Sequence, residues 1–332
     1  MTQLFIGSDM SKHFFDATYL DEKGNYIYLG QFENDSAGFK GFTKQLKSKT
    51  KIPTSQWFVC FENTGAYSKA FFKYLCDNGI SRREEVASQI SNSLGIKRGK
   101  TDKIDSKDIC KYAFQRRDSI KPNKLDTKQI SQLKKLLSYR DQLVKTKTSL
   151  SVCLKDINPT LETDFISDLR NSNDSVIIKI KAQIKNVETQ IANLIASDDK
   201  LNESNELVTS VVGIGKITSA YIIAYSDNFN SFTDSRKFAC YSGVAPFENS
   251  SGLFKGQNKV SHIANKKIKS LLSQCSVSAI RFDPQIGAYF SRKTMENKKY
   301  GVIMNAIKNK LLHRIFAVVK RKSPYVKLQA YV

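Results

Sequence analysis

The chain has 332 residues, 40% of them apolar, which is enough for two or three domains with cores of their own. Its formal net charge of +22 (53 Lys and Arg against 31 Asp and Glu) points to a polyanionic partner. Six scattered cysteines without a C-x-x-C pair, only three histidines (His13, His262, His313), no apolar run of membrane length and an N-terminus (MTQLFIGSDMSK) unlike a signal peptide exclude a zinc framework, a disulfide scaffold, histidine-cluster chemistry and a membrane-spanning protein; a reducing cytoplasm is the expected location.

In chain order, LFIGSDM, FFDATYL and YIYLGQF read as three short strands, with DEKGN as the hairpin turn between the second and third. A helix is expected near GFKGFTKQLKS, a short apolar strand at WFVCFEN (57–63), a helix at AYSKAFFKYLCDNG ending at Gly79, and another short strand near Glu85–Ser88. The stretch GKTDKIDSKD (99–108) then leads into DICKYAFQRR, which reads as helical. Three antiparallel strands followed by alternating helices and strands is the order of a ribonuclease-H-like α/β domain, expected over 1–122.

The second segment, 123–203, changes character. Leu136, Leu143, Leu150 and Ile157 repeat every seven residues, and Ile177, Ile180, Ile184, Val187, Ile191 and Leu194 continue at three-four spacing. Such a pattern predicts a long antiparallel coiled coil, its arms separated by Pro159 and the polar stretch RNSNDS (170–175), with an ordinary helical layer as the alternative. The third segment, 204–325, contains SVVGIGKITSAYIIAY, whose Gly213–Gly215 turn between two helices resembles a helix-hairpin-helix, where backbone N–H groups and Lys216 can meet a phosphate. A glycine- and serine-rich stretch through GVAPFENSSG follows, and then mainly helices rich in Lys and Arg.

Four carboxylates are candidates for chemistry. Asp9 lies in the first strand, Glu62 ends the apolar strand, and Asp102 with Asp105 opens the helix after GKT, three apart and therefore on one face. Magnesium, or manganese, takes hard oxygen ligands, and two such ions can clamp an in-line phosphoryl displacement. Lys97, Arg98, Lys100 and Lys103 surround the pair and would hold a phosphate backbone over the ions. Taken singly, Asp102 reads as a helix cap, Asp105 as a first-turn acid, and Asp108 as a solvated helix residue. Ser250 and Ser251, beside Gly252, are either a turn or a nucleophile toward a phosphodiester, and chemistry alone does not choose between the two hydroxyls. KVSHIANKKIK (259–269, with Lys259, Lys266 and Lys267), SRK and VKRK read as binding surface for DNA or RNA.

The ordered set IGSDMSK, CFENTGAY, KRGKTDKIDSKDI, SVVGIGKITSA and SGVAPFENSSG resembles the insertion-sequence transposases with an Asp-Glu-Asp-Asp tetrad, also called bridge-RNA-guided recombinases, over roughly residues 4–320. The resemblance implies a RuvC-like nuclease domain, a coiled-coil insertion and a C-terminal transposase domain with a catalytic serine. It carries the tetrad onto Asp9, Glu62, Asp102 and Asp105, and the serine onto Ser251, five residues after the proline of GVAP. It also implies a structured guide RNA that pairs with donor and target DNA, a homo-oligomer built as a dimer of dimers, and a prokaryotic, nucleoid-associated setting. Ser8 and Asn63 depart from the residues usual in the family motifs, and neither removes a catalytic group. Two other readings share the same residues. A junction-resolvase-like nuclease would use the tetrad with water, and a non-catalytic nucleic-acid-binding protein would need none of the four acids.

Overall fold

The computed structural model describes residues 4–95, 101–153, 164–252, 254–256 and 259–327. The chain divides into two compact units, Met1–Leu125 and Asp126–Val332.

The first unit is built on a five-stranded mixed sheet. Its strands are β1 (Leu4–Met10), β2 (Phe14–Leu20), β3 (Tyr26–Glu33), β4 (Trp57–Glu62) and β5 (Ser81–Glu85), ordered β3-β2-β1-β4-β5. β1, β2 and β3 pair antiparallel, whereas β4 and β5 run parallel to β1. Strand alternation assigns the two faces. Leu4, Ile6, Phe15, Ala17, Val59 and Phe61 point to one face, against Phe39, Phe42 and Leu46 of α1 (Ser36–Thr50) and Phe71 and Leu75 of α2 (Lys69–Asp77). Phe5, Leu20, Phe58 and Cys60 point to the other, against Ile90 of α3 (Ala87–Leu94) and Ile109, Cys110 and Ala113 of α4 (Asp102–Gln115). The expected order of strands and helices is observed with two corrections: the last strand is Ser81–Glu85, earlier than the expected Glu85–Ser88, and α3, which the sequence pattern did not indicate, takes up Ser88. Glu85 forms the end of the sheet because its carboxylate is buried on Arg83 and the Tyr112 hydroxyl.

α4 sits directly on the backbone of β1. A Cβ at Gly7 would collide with the main chain of Ser106 and Cys110, so only glycine admits the helix at this height. Thr18 and Ser106 share a buried hydrogen bond of 2.8 Å that pins the same helix to β2.

The second unit is helical. α5 (Lys128–Cys153) and α6 (Asp164–Ala196) pack antiparallel, as shown by Arg140 on Glu188 at 2.7 Å and the Asn173 side-chain amide on the Leu150 carbonyl at 3.1 Å. The apolar seam differs in register from the expected heptad. Ile130, Leu133 and Leu137 are buried, while Leu136, Leu143 and Leu150 lie half-buried at its edge. RNSNDS does not separate the arms, because residues 170–175 lie inside α6; Ile157 and Pro159 fall outside the described residues. Six polar side chains can continue a helix whose opposite face is supported, since Ser and Asn lower helix propensity without breaking it.

α7 (Asp199–Ser210), α8 (Lys216–Ser226), α9 (Ser235–Tyr241), α10 (Lys266–Phe282), α11 (Pro284–Met295) and α12 (Tyr300–Arg321) enclose a second core around Val208, Ile222, Phe238, Leu272, Ile307 and Ile315. Between α9 and α10 lie two small ladders, β6 (Pro246–Phe247) with β9 (Lys259–Val260), and β7 (Ser250–Ser251) with β8 (Phe254–Lys255). No helix among the described residues is long and apolar enough to cross a membrane.

The seating of α4 yields a test. Gly7→Ala is expected to lower unfolding stability by about 1–3 kcal/mol, the usual cost of forcing atoms into a packed contact. A denaturant midpoint equal to that of the parent chain would show that α4 does not rest on β1 in this way.

Candidate functional site

Alternation along the strands decides which acids meet. Asp9 is on the same face of β1 as Phe5 and Gly7, the face covered by α4. Ser8 lies opposite Phe61, so Asp9 and Glu62 leave the β1–β4 ladder side by side at the carboxyl ends of two parallel strands. Such strand ends form the open crevice of α/β sheets. Asp102 and Asp105 occupy the first turn of α4, above the same sheet face. The cap of this helix is Thr101, whose hydroxyl accepts from the Ile104 N–H at 3.3 Å, so Asp102 is left as the first helical residue and not as the cap. Asp108 is half-buried on the same helix and not solvated.

The electrostatics of Asp9 record the convergence. Its carboxyl is pushed up to about 6, first by burial and then by the negative charges of Asp105, Asp102, Glu62 and Asp16. The other three predicted acids therefore act on Asp9, and Asp16 adds a fourth charge that the sequence pattern did not mark. Among the described residues, no three His, Cys, Asp or Glu side chains stand at the spacing of a closed metal cage. The donor set nonetheless suits a hard divalent cation. It is made of carboxylate oxygens, and their mutual repulsion is the kind that a bound cation relieves.

Of the predicted phosphate contacts around this face, Lys97, Arg98 and Lys100 lie outside the described residues. Lys103 is exposed on α4, its ammonium 4.9 Å from the centre of the Tyr28 ring.

In the second unit, Ser250 and Ser251 form one side of a tight hairpin. They pair with Lys255 and Phe254, and Gly252, next in the chain, has a φ of +56°, a left-handed value. The Ser250 hydroxyl donates to Glu248 at 3.1 Å. Ser251 is exposed, and among the described residues no hydrogen bond occupies its hydroxyl. Of the two, Ser251 is the one free to approach a ligand. His313 is engaged elsewhere, with its Nδ1 2.8 Å from the Ser235 hydroxyl.

The remaining predicted contacts divide by environment. Gly215 and Lys216 are exposed at the start of α8, which has no side-chain cap. Gly213 serves packing. Its φ is +92°, and a Cβ there would meet the Cys275 carbonyl at 2.7 Å. Lys259 and Lys266 are exposed, whereas Lys267 is tied to Asp141 at 2.5 Å.

Lys269, the last residue of the KVSHIANKKIK run, lies on α10 beside Lys308 of α12, which no sequence run marked. Burial, and then the charge of Lys269, holds the Lys308 ammonium below its usual range. No acid pairs with either lysine among the described residues. Asn305, one turn before Lys308, donates to the Val244 carbonyl at 2.7 Å, at the start of the segment that leads to the serine hairpin. Two close, unneutralised ammonium groups there are suited to an anion. No motif marks them as a pair, because they lie 39 positions apart in the sequence.

Relief of the charge on Asp9 is a measurable effect. Because the folded state raises its proton affinity, stability falls as pH rises from about 4 through about 6, and it stays lower above that range. Asp9→Asn is expected to melt higher than the parent chain at pH 7.5 in a chelator, with the gap closing as pH falls toward 4. A lower melting temperature at pH 7.5 would mean that Asp9 is not strained by its neighbours.

Two family models match parts of the chain. Residues 6–159 match the DEDD-type transposase family of IS110, and residues 205–291 match the transposase IS116/IS110/IS902 family. The pilin gene-inverting proteins of Moraxella lacunata and Moraxella bovis are each 28% identical over 98% of this chain and 99% of their own length. The transposase for insertion sequence element IS1111A of Coxiella burnetii is 20% identical over 96% of this chain and 90% of its own. An acid-lined strand crevice in a basic chain, the two separate family matches and the full-length relatives together support an IS110-type DEDD transposase, an enzyme that cuts and rejoins DNA.

Proposed function

We propose that this transposase is guided by a structured RNA and exchanges DNA strands through a covalent 5′-phosphoserine at Ser251. The convergence of four carboxylate charges on Asp9 carries the reading. Asp9, Glu62, Asp102 and Asp105 would hold divalent magnesium or manganese, which supplies Lewis-acid stabilisation of charge on the scissile phosphate. The chain's own groups do the rest. Ser251 Oγ attacks phosphorus while its proton passes to solvent or a nearby base. The 3′ oxygen leaves as a free hydroxyl and the 5′ phosphate stays on the serine. A 3′ hydroxyl of the partner strand then attacks that phosphoserine, forming the new phosphodiester and returning the serine proton. One ester replaces another at each step, so no external energy source is required.

Several features support the partners in this reading. The charge of +22 suits two nucleic acids together. The exposed, uncapped start of α8 at Lys216 and the basic ends of α10 and α12 would supply phosphate contacts of the helix-hairpin-helix kind. α5 and α6, taken as a coiled coil, carry Phe165, Leu169 and Val176 exposed along one stripe of α6, with Phe165 74% open to solvent. An apolar stripe of that length suits a second copy of the chain, in keeping with a homo-oligomer arranged as a dimer of dimers. The corresponding domains are proposed as 1–122, 123–203 and 204–325.

The test is a cleavage reaction with guide RNA, magnesium and labelled donor DNA, run on a denaturing protein gel. The expected result is a labelled protein–DNA adduct that is absent from Ser251→Ala and from Asp105→Ala. Cleavage that survives the loss of Ser251 and leaves no adduct would overturn the phosphoserine route in favour of hydrolysis by water at the acid site.

A further inference from the structure

Asp16 has no counterpart among the four acids of the tetrad, yet it is the direct cross-strand partner of Asp9 in the β1–β2 ladder. Cross-strand partners project from the same face of a sheet, so both carboxylates lie under α4. Asp16 is 5% exposed. A carboxylate so deeply buried beside another acid is costly unless hydrogen bonds hold it. Two do: the Tyr28 hydroxyl donates to one oxygen at 2.5 Å and the Gln31 amide donates to the other at 3.1 Å.

The backbone of β3 is shaped to make both bonds possible. Tyr28 and Gln31 are three apart, so in a regular strand they would point to opposite faces. The β2–β3 ladder slips by one residue here: Ala17 pairs with Gly30 and Thr18 with Tyr28, leaving Leu29 as the extra residue. This bulge restores the parity, and Gly30 accommodates it at a φ of +145°. Leu29 and Phe32 then fill the α1–α2 face while Tyr28 and Gln31 both reach Asp16. Lys103, adjacent to Asp102, caps the Tyr28 ring from α4. The phenol is pushed up to about 12 by burial and by its bond to Asp16, so it stays a donor.

We propose that Asp16 is a positioning residue of the acid site, its charge fixed by Tyr28 and Gln31 so that it faces Asp9 and strengthens the site's hold on a divalent cation. The inference rests on the reading of Asp9 as a metal-holding residue. Asp16 does not touch the reacting phosphate; with both oxygens held by Tyr28 and Gln31, it acts through the negative charge it places beside Asp9.

The test measures Mn2+ binding to the full chain without nucleic acid, from the electron paramagnetic resonance signal of free Mn2+, together with melting temperature in chelator. Parent, Asp9→Asn, Asp16→Asn and Tyr28→Phe chains are compared. Asp16→Asn is expected to bind Mn2+ roughly tenfold more weakly, the lower end of the usual effect behind metal ligands, with a melting temperature in chelator equal to the parent's or higher. Tyr28→Phe, which keeps the carboxylate but releases one oxygen, is expected to weaken binding by a smaller factor, and it serves if Asp16→Asn does not fold. Parent-like Mn2+ affinity in both variants, with binding lost in Asp9→Asn, would overturn the role of Asp16 alone. A parent chain that takes up no Mn2+ would overturn the metal reading and this inference with it.

Discussion

The closeness of α4 to β1 is the constraint on which the acid site depends. A helix normally rests on a sheet through side chains, about 10 Å away. Here the absence of a side chain at Gly7 brings the main chain of Ser106 and Cys110 onto the strand itself. The Cys110 thiol bonds to the Phe5 carbonyl at 3.3 Å, and Thr18 bonds to Ser106, so the helix is fixed along its length. With the middle of α4 held down, its first turn has one place to go, over the end of β1. Asp102 and Asp105 arrive there because Thr101 caps the helix one residue before Asp102 and places both acids in its first turn. The raised proton affinity of Asp9 follows from that geometry: burial and four like charges at one strand end.

The second unit solves a different problem. Ser251, the proposed nucleophile, stands exposed on a short hairpin, and the rigidity lies around it. Gly243, at a φ of +67°, lets the hairpin's entry segment press on Ala264, where a Cβ would come within 2.5 Å. Asn305 clamps Val244 from α12. The antiparallel α5–α6 pair joins the core of this unit through Leu137, Val187, Ile191 and Tyr221. Lys267 belongs to that joint, between Asp141 and the Tyr221 ring, which is why a lysine in a basic run is structural here.

Much of the first unit was legible in the sequence because its signals are local. Alternation marks β1 to β3, and the three-residue spacing of Asp102 and Asp105 marks one helix face. What could not be read depends on pairing between distant residues. Asp16 looks like an exposed strand acid until the β1–β2 register sets it against Asp9. The bulge at Leu29 leaves no trace beyond one glycine in a strand. α9 was hidden because SRKFACY sits in a glycine- and serine-rich segment, yet Asp234 caps it and Phe238 is buried beneath it. α6 runs through RNSNDS because packing on α5 outweighs weak local propensity. The heptad of leucines is present, but the seam follows Ile130, Leu133 and Leu137, because helix rotation is set by the partner helix and α8 together.

The central claim is that the acids at the end of β1 form a cation site, and an anomalous-difference map from crystals soaked in Mn2+ tests it most directly. The account predicts a peak bounded by Asp9, Glu62, Asp102 and Asp105, with Asp16 behind Asp9 and outside direct contact. Saturated crystals with no peak there, or with manganese only on other surface acids, would contradict it.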